Sequence, residues 1–419
     1  MTIRRLTGLE ILDSRGCPTV RATCELAGGA IGIASVPSGA STGAAEAVEL
    51  RDGDPARYRG KGCLKAVAHI NRELNSVLAG RDGLATQADV DRLLIDTDGT
   101  PNKARLGANA ILAVSVAFAR ASAAEKRLPL YQYFADLVGQ PLARAPILTI
   151  NLFSGGKHAG WQVPIQDVLI VPRSAQTIGE ALVMSSAVYH EAVELIRRKY
   201  DMRWLTADEG GLAPPVTSAE QLLADAVECI RSAGFEPGKE VALAVDVASS
   251  HFYREGNYHL GTQPFTADEM ISHLVGWVDQ FPIISIEDGL AEEDWQHWPQ
   301  LAAALAGKAL VMGDDLLCTN PQRIRRAIDT RACNALLLKV NQIGTLTEAL
   351  QAHQLARSAD WSVTLSVRSG DTEDDWFADL AVGLSADYSK AGSLTQSERL
   401  AKYNRLLAIE AERTAGSFE

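Results

Sequence analysis

From Pro146 onward the chain repeats one unit: a short apolar run, then an amphipathic segment, then another apolar run. The runs fall at 147–152, 165–171, 241–245, 282–286, 309–312, 336–338, 363–365 and, with less contrast, 386–389. Runs this short and this apolar are what strands buried on both faces of a parallel sheet look like. Amphipathic segments lie between most of them, at 178–198, 219–233, 346–356 and 376–384. Eight strands alternating with helices predict a closed (β/α)8-type barrel, an α/β fold. Two helical segments separate the second run from the third, so the repeat is irregular there.

The first part of the chain has a different character and predicts a separate α+β domain over 1–135, with the barrel over 136–419. Two candidate strands, 19–25 and 30–36, flank Gly28-Gly29 and read as a hairpin. The segment PSGASTG (37–43) reads as a mobile loop, either bringing hydroxyls and amides to a ligand or serving as a linker. Helical patterns follow at 64–79, 87–95 and 108–125.

Composition narrows the function. With 419 residues, 47% hydrophobic and 22% charged, the chain has the make-up of a globular protein of about two domains. A net charge of −12 argues against nucleic acid or an acidic membrane surface as partner. No apolar run approaches membrane-spanning length, and the opening MTIRRLTGLE lacks a signal-peptide core. The six cysteines form no CxxC pair, so neither a zinc site nor a disulfide framework is indicated. A cytoplasmic location is expected.

The chemistry lies where the runs end. Asp246 ends ALAVD, Glu287 ends PIISIE, Asp314 ends ALVMGD and Lys339 ends ALLLK; Arg368 and Ser369 follow SVTLSV, and Lys390 follows ADYS. Barrel strand ends open onto one face, so three carboxylates are expected to converge beside two lysines and an arginine. Each alone reads equally well as a surface ion pair. Together, oxygen ligands without His or Cys favour Mg²⁺ over zinc. A carboxylate substrate on such a cation has an α-proton that a neutral lysine can remove, giving an enediolate that divalent cations stabilise. Lys339, among cations such as Mg²⁺ and Lys390, is expected to have its pKa pushed down and to act as that base. Loss of a β-hydroxyl needs an acid. Asp208 and Glu209 in TADEGGLAPP offer one, unless that pair merely caps a helix.

The fragments DSRGCPTV, PSGASTG, ELRDGD, GANAILAVSVA, SGGKHA, DEGGLAP, SIEDGLAEEDW, GDDLLCTNP, KVNQIGTLTE, RSGDTED and SERLAKYN occur in an order and at spacings that resemble the enolase family. The resemblance covers almost the whole chain. It implies a barrel beginning β-β-α-α, with Asp246, Glu287 and Asp314 as ligands of a first Mg²⁺ and Ser41 as ligand of a second, substrate-dependent one. It implies Lys339 as the base that takes the C2 proton of 2-phosphoglycerate, a pairing of lysine with Mg²⁺ familiar in that superfamily. Glu209 would assist loss of the C3 hydroxyl, giving phosphoenolpyruvate. Arg368, Ser369 and Lys390 would hold phosphate and carboxylate, and His158 matches the histidine of a second closing loop. A homodimer or higher homo-oligomer is implied as well.

The departures are specific. Where enolases read SHRSGETED this chain has Ser366-Val367-Arg368-Ser369-Gly370-Asp371, so a histidine beside the phosphate has become Val367. The glutamate of the family's QEF segment is Asp167, and Ser154 stands where enolases favour Asn, near a bulky Trp161. Cys17 replaces an Asn, and His251 a Glu. Arg21 and Ala408 replace both partners of the family's dimer contact. Two enzymatic functions therefore compete: interconversion of 2-phosphoglycerate and phosphoenolpyruvate, or related chemistry on an analogue, as in enolase-like proteins assigned to making carboxyphosphonoenolpyruvate in phosphonate antibiotic pathways. A non-catalytic binding protein is a third.

Overall fold

The computed structural model describes residues 1–40, 42–261 and 264–415. It opens on an antiparallel sheet in the order β1 (Ile3–Leu12), β2 (Pro18–Leu26), β3 (Ile31–Ser35). Periodicity finds β2 and β3 but misses β1, whose burial does not alternate. Leu6 is buried there, while Leu9 and Leu12 are exposed. Helix Ala108–Glu125 packs on β2 and β3 and is buried almost all round, which explains its run of alanines. A Cβ at Gly32 would lie 2.0 Å from the Ala117 carbonyl oxygen, so only glycine admits the helix so close to β3. The predicted helix at 64–79 is present but broken by a π-helical turn at Ile70–Leu74.

The barrel strands are β4 (Ile147–Ser154), β5 (Asp167–Val171) and β6 (Ala242–Asp246). A small hairpin of β7 (Tyr253–Arg254) and β8 (Asn257–Tyr258) stands outside the ring. The strands β9 (Ile283–Glu287), β10 (Leu310–Gly313), β11 (Ala335–Leu338), β12 (Ser362–Ser366) and β13 (Tyr388–Lys390) complete it. The ring closes in the order β10-β11-β12-β13-β4-β5-β6-β9.

All neighbours in the ring are parallel except β5, which runs antiparallel to both β4 and β6. The cause is local. No α-helix lies between β4 and β5 to carry the chain back, so β5 returns as a hairpin strand. Helices Ile178–Tyr200 and Ala219–Ser232 then make a round trip before β6. Consequently the carboxyl ends of seven strands and the amino end of β5 share one face.

Two barrel strands begin two residues later than the sequence expectation. β5 begins at Asp167, because Gln166 turns its carbonyl to Gly155 N–H. The last strand begins at Tyr388, because Ala386 N–H closes the preceding helix on Ala381 and the Asp387 carboxylate accepts from Val363 N–H and Arg357. Ser and Thr caps at Thr177, Ser218, Thr266 and Thr345 start the outer helices, each contributing about 1 kcal/mol. Among the described residues no helix is long and apolar enough to cross a membrane.

His353, wholly buried on helix Leu346–Ser358, has its pKa lowered to about 4 by burial, with Arg357 adding to the effect. Above pH 6.5 the ring is neutral whether folded or unfolded and leaves stability unchanged. As pH falls from 6.5 towards 4 the unfolded chain takes the proton first, and stability is lost by up to about 3 kcal/mol. A His353→Leu variant should therefore lose less stability than the parent between pH 7 and pH 4.5 in urea titrations. An equal loss in both contradicts the assignment.

Candidate active site

Asp246 and Glu287 are the last residues of β6 and β9 and sit side by side in register. Asp314 and Lys339 lie one residue beyond β10 and β11, and Lys390 ends β13. These side chains, except Glu287, line a recess of ≈ 410 Å³ at the mouth of the barrel, together with Glu209 and Arg368. Glu287 is reached through Lys390. The Lys390 ammonium lies 2.9 Å from Asp246 and 2.7 and 2.9 Å from the two oxygens of Glu287. Lys339 Nζ donates to Asp314 Oδ2 at 2.5 Å, and Gln342 Nε2 to Oδ1 at 2.8 Å.

Burial opposes charge on each of these groups, and the neighbouring charges decide each outcome separately. Asp246 is buried, but Lys390 beside it lowers its pKa to about 2. Burial and then the Asp246 charge push Glu287 well above the usual carboxylate range. Lys339 is governed by its carboxylate partner. Burial and its cationic neighbours Arg368 and Lys390 favour the neutral amine, yet the Asp314 carboxylate, aided by Glu287, raises its pKa above the ordinary lysine value.

The expected single triad of carboxylates is divided in the same way, with Asp246 and Glu287 on Lys390 and Asp314 on Lys339. Among the described residues, the sets with three potential ligand atoms within 4.8 Å are Asp288, Asp314 and Asp315, and His158, Asp167 and Glu209. Asp288 has both oxygens committed, to the backbone N–H groups of Asp314 and Asp315 at 2.9 and 2.8 Å. It shapes the loop that presents Asp314. Sequence reasoning missed both Asp288 and Asp315, although the doublets in SIEDG and GDDL were visible. The carboxylate oxygens of this face suit a hard divalent cation.

Asp167, at the amino end of β5, faces the same recess region because β5 runs backwards. Its Oδ1 accepts from Asn151 Nδ2 and Ser154 Oγ, both at 2.7 Å, and its Oδ2 meets His158 Nδ1 at 3.0 Å. The two departures Ser154 and Asp167 thus touch: a short hydroxyl grips a short carboxylate. Gly211 leaves the room, since a Cβ there would lie 2.6 Å from both Asn151 Oδ1 and Ser154 Oγ. His158 Nε2 is 3.9 Å from Glu209 Oε1. Burial opposes charge on His158, but Asp167 and Glu209 on either side raise its pKa. Burial likewise opposes charge on Glu209, and His158 and Arg399 outweigh it and lower the pKa. The buried Glu209 Oε2 has no hydrogen-bond partner among the described residues.

On the anion side, Arg368 holds Glu46 in a two-pronged pair at 2.9 and 3.1 Å and also donates to Asn341 Oδ1. Glu46 carried no signal in the sequence. Ser369 Oγ accepts from Arg15 and from Ala40 N–H, and Ser38 pairs with Gly370 through two backbone bonds, so the 37–43 segment docks on the barrel here. Ser41 lies outside the described residues. Val367 is buried in the wall of the recess and donates its N–H to Lys390 O. Trp161, half exposed and in left-handed conformation (φ 60°), meets the ring of His251 edge-on at 6.0 Å. Arg21 and Ala408 are both exposed.

Two family descriptions match this chain. "Enolase, N-terminal domain" covers residues 3–134, and "Enolase, C-terminal TIM barrel domain" covers residues 143–418. With the closed barrel, its one reversed strand and the carboxylates at its mouth, these matches lead to one conclusion: the chain belongs to the enolase family.

Proposed function

We propose that the protein is a Mg²⁺-dependent lyase that takes the C2 proton of 2-phosphoglycerate, or of a close analogue, and yields an enol phosphate. The observation that carries this reading is the pairing of strand-end carboxylates with strand-end lysines at one barrel mouth. On this reading the chain divides near residue 135. Asp246, Glu287 and Asp314 are the cation ligands, and Ser41 serves a second cation. Asp246, Glu287 and Asp314 would hold a divalent cation, which would supply positive charge beside the substrate carboxylate.

Lys339 is the base. Arg368 and Lys390 favour its neutral form and Asp314 opposes it. Neutralising Asp314 removes the largest charge that keeps the proton on Lys339. Arg368, Ser369 and Lys390 orient the phosphate and carboxylate. Glu209 is the acid, and its unbonded Oε2 is the atom that meets the leaving hydroxyl. His158, held by Asp167, keeps the proton that Glu209 needs within reach. Free cysteines throughout fit the reducing cytoplasm. A homo-oligomer belongs to the same proposal, with contacts other than the family's, because Arg21 and Ala408 stand at those positions.

One observation favours a second substrate. Val367 presents an apolar wall where the family has histidine, which suits a ligand that needs no donor there, such as a phosphonate analogue. The products would then include carboxyphosphonoenolpyruvate-like compounds.

An ultraviolet assay of enol-phosphate formation from 2-phosphoglycerate with Mg²⁺ separates the readings. Turnover that Lys339→Ala lowers by at least about 100-fold is the expected result. Absence of turnover with Mg²⁺ binding intact directs the assignment to the analogue, and absence of Mg²⁺ binding leaves a non-catalytic protein. Restoring the family residue, Val367→His, should raise 2-phosphoglycerate dehydration by at least about 10-fold. An unchanged or lower rate would count against Val367 as the limiting difference.

A further inference from the structure

The segment SERLAKYN (397–404) opens the C-terminal helix Ser397–Ala415, and its Arg399 bears on the chemistry above only as a charge near Glu209. Arg399 within it is fully buried, although it lies in no strand and faces no solvent. Its Nη1 donates to the Arg368 carbonyl at 2.7 Å. Its Nη2 donates to the Ser369 carbonyl at 2.6 Å and, at 3.5 Å, to that of Asp208. Nε pairs with Glu398 at 3.2 Å, and Asp371 lies 4.0 Å away, so its charge is balanced.

One guanidinium thus joins the loop that carries Glu209 to the loop that carries the anion clamp. The neighbouring chain completes the join. Gln396 Nε2, Ser393 N–H and Thr395 Oγ1 donate to the carbonyls of Ala207, Glu209 and Gly210. Every carbonyl from 207 to 210 is therefore held from the segment 393–399. Gly392 permits the approach: a Cβ there would lie 2.7 Å from Arg399 Cδ and 3.0 Å from Glu209 O.

Stability alone does not call for this arrangement. A buried charge replaced by a well-packed apolar side chain is often neutral or stabilising. What only arginine provides is a rigid planar fork whose donors reach two loops at once; lysine offers three donors from a single point.

We propose that Arg399 is a positioning residue that locks the Glu209 loop to the Arg368–Ser369 loop, fixing the separation of proton donor and anion clamp. This rests on the function proposed above. The test compares the full-length protein with Arg399→Lys and Arg399→Met, using 2-phosphoglycerate and normalising to folded protein. Arg399→Lys should raise KM by about 5-fold or more and lower kcat by about 10-fold or more, with Mg²⁺ affinity within about 2-fold; Arg399→Met should lose more. In a Glu209→Gln background the kcat effect of Arg399→Lys should shrink to under about 2-fold, because the two act as a unit. A merely structural role would lower the folded fraction and leave KM unchanged.

Unchanged KM and kcat per folded protein, or full additivity with Glu209→Gln, overturns the proposal. If the wild-type protein does not turn over 2-phosphoglycerate, the reaction assignment fails, and Arg399 is judged by affinity for inorganic phosphate in Mg²⁺. Weakening by about 5-fold or more in Arg399→Lys then supports the role, and equal affinity overturns it. A wild-type protein that neither turns over nor binds phosphate overturns both.

Discussion

The contact on which the site depends is the Lys390 ammonium lying between Asp246 and Glu287. β13 and β9 stand on opposite sides of the eight-stranded ring, so this lysine spans the barrel mouth. Removing one member of such a buried pair costs about 3–5 kcal/mol, whereas apolar residues in place of all of them would often be tolerated. A barrel built for stability alone would have no use for the cluster. Charged groups gathered at the open face of a barrel are a feature of binding and catalysis. Lys390 drives Asp246 low, burial and the Asp246 charge outweigh Lys390 at Glu287 and drive it high, and Lys339 is left to Asp314.

Four of the residues in which this chain differs from the family pattern are paired in space. Ser154 and Asp167 share a hydrogen bond, and Trp161 and His251 share a ring contact. The first pair keeps a carboxylate on His158 although the side chain is one methylene shorter. The second adds aromatic bulk to the loop that carries His158. Val367 has no such companion, and the wall of the recess is apolar at that point. Paired changes preserve a geometry, whereas the change at Val367 replaces a polar ring in the wall by an apolar side chain. The substrate question therefore concentrates on Val367.

Much of this architecture is legible in the sequence. Parallel barrel strands are apolar on both faces and stop at the first residue that meets the recess, so Asp246, Glu287, Lys339 and Lys390 announce themselves by position. β1 is hidden because Leu9 and Leu12 are exposed, which breaks the alternation that marks a half-buried strand. Glu46 and Asp288 are hidden for another reason: their roles arise from contacts with Arg368 and with the 314–315 backbone, at sequence separations that no local pattern records. The pairing of Lys339 with Asp314 is hidden as well, because it turns on one short distance. The sequence shows that cations are near but not which carboxylate each one takes.

The central claim is that this lysine–carboxylate lattice removes a proton from the carbon next to a carboxylate. The most direct test is incorporation of solvent deuterium at C2 of 2-phosphoglycerate, followed by NMR with Mg²⁺ present. This step does not require loss of the hydroxyl and so does not depend on what Val367 does to the leaving group. The account predicts exchange that depends on Mg²⁺ and is absent in Lys339→Ala. Bound Mg²⁺ and bound 2-phosphoglycerate with no exchange at C2 would contradict it.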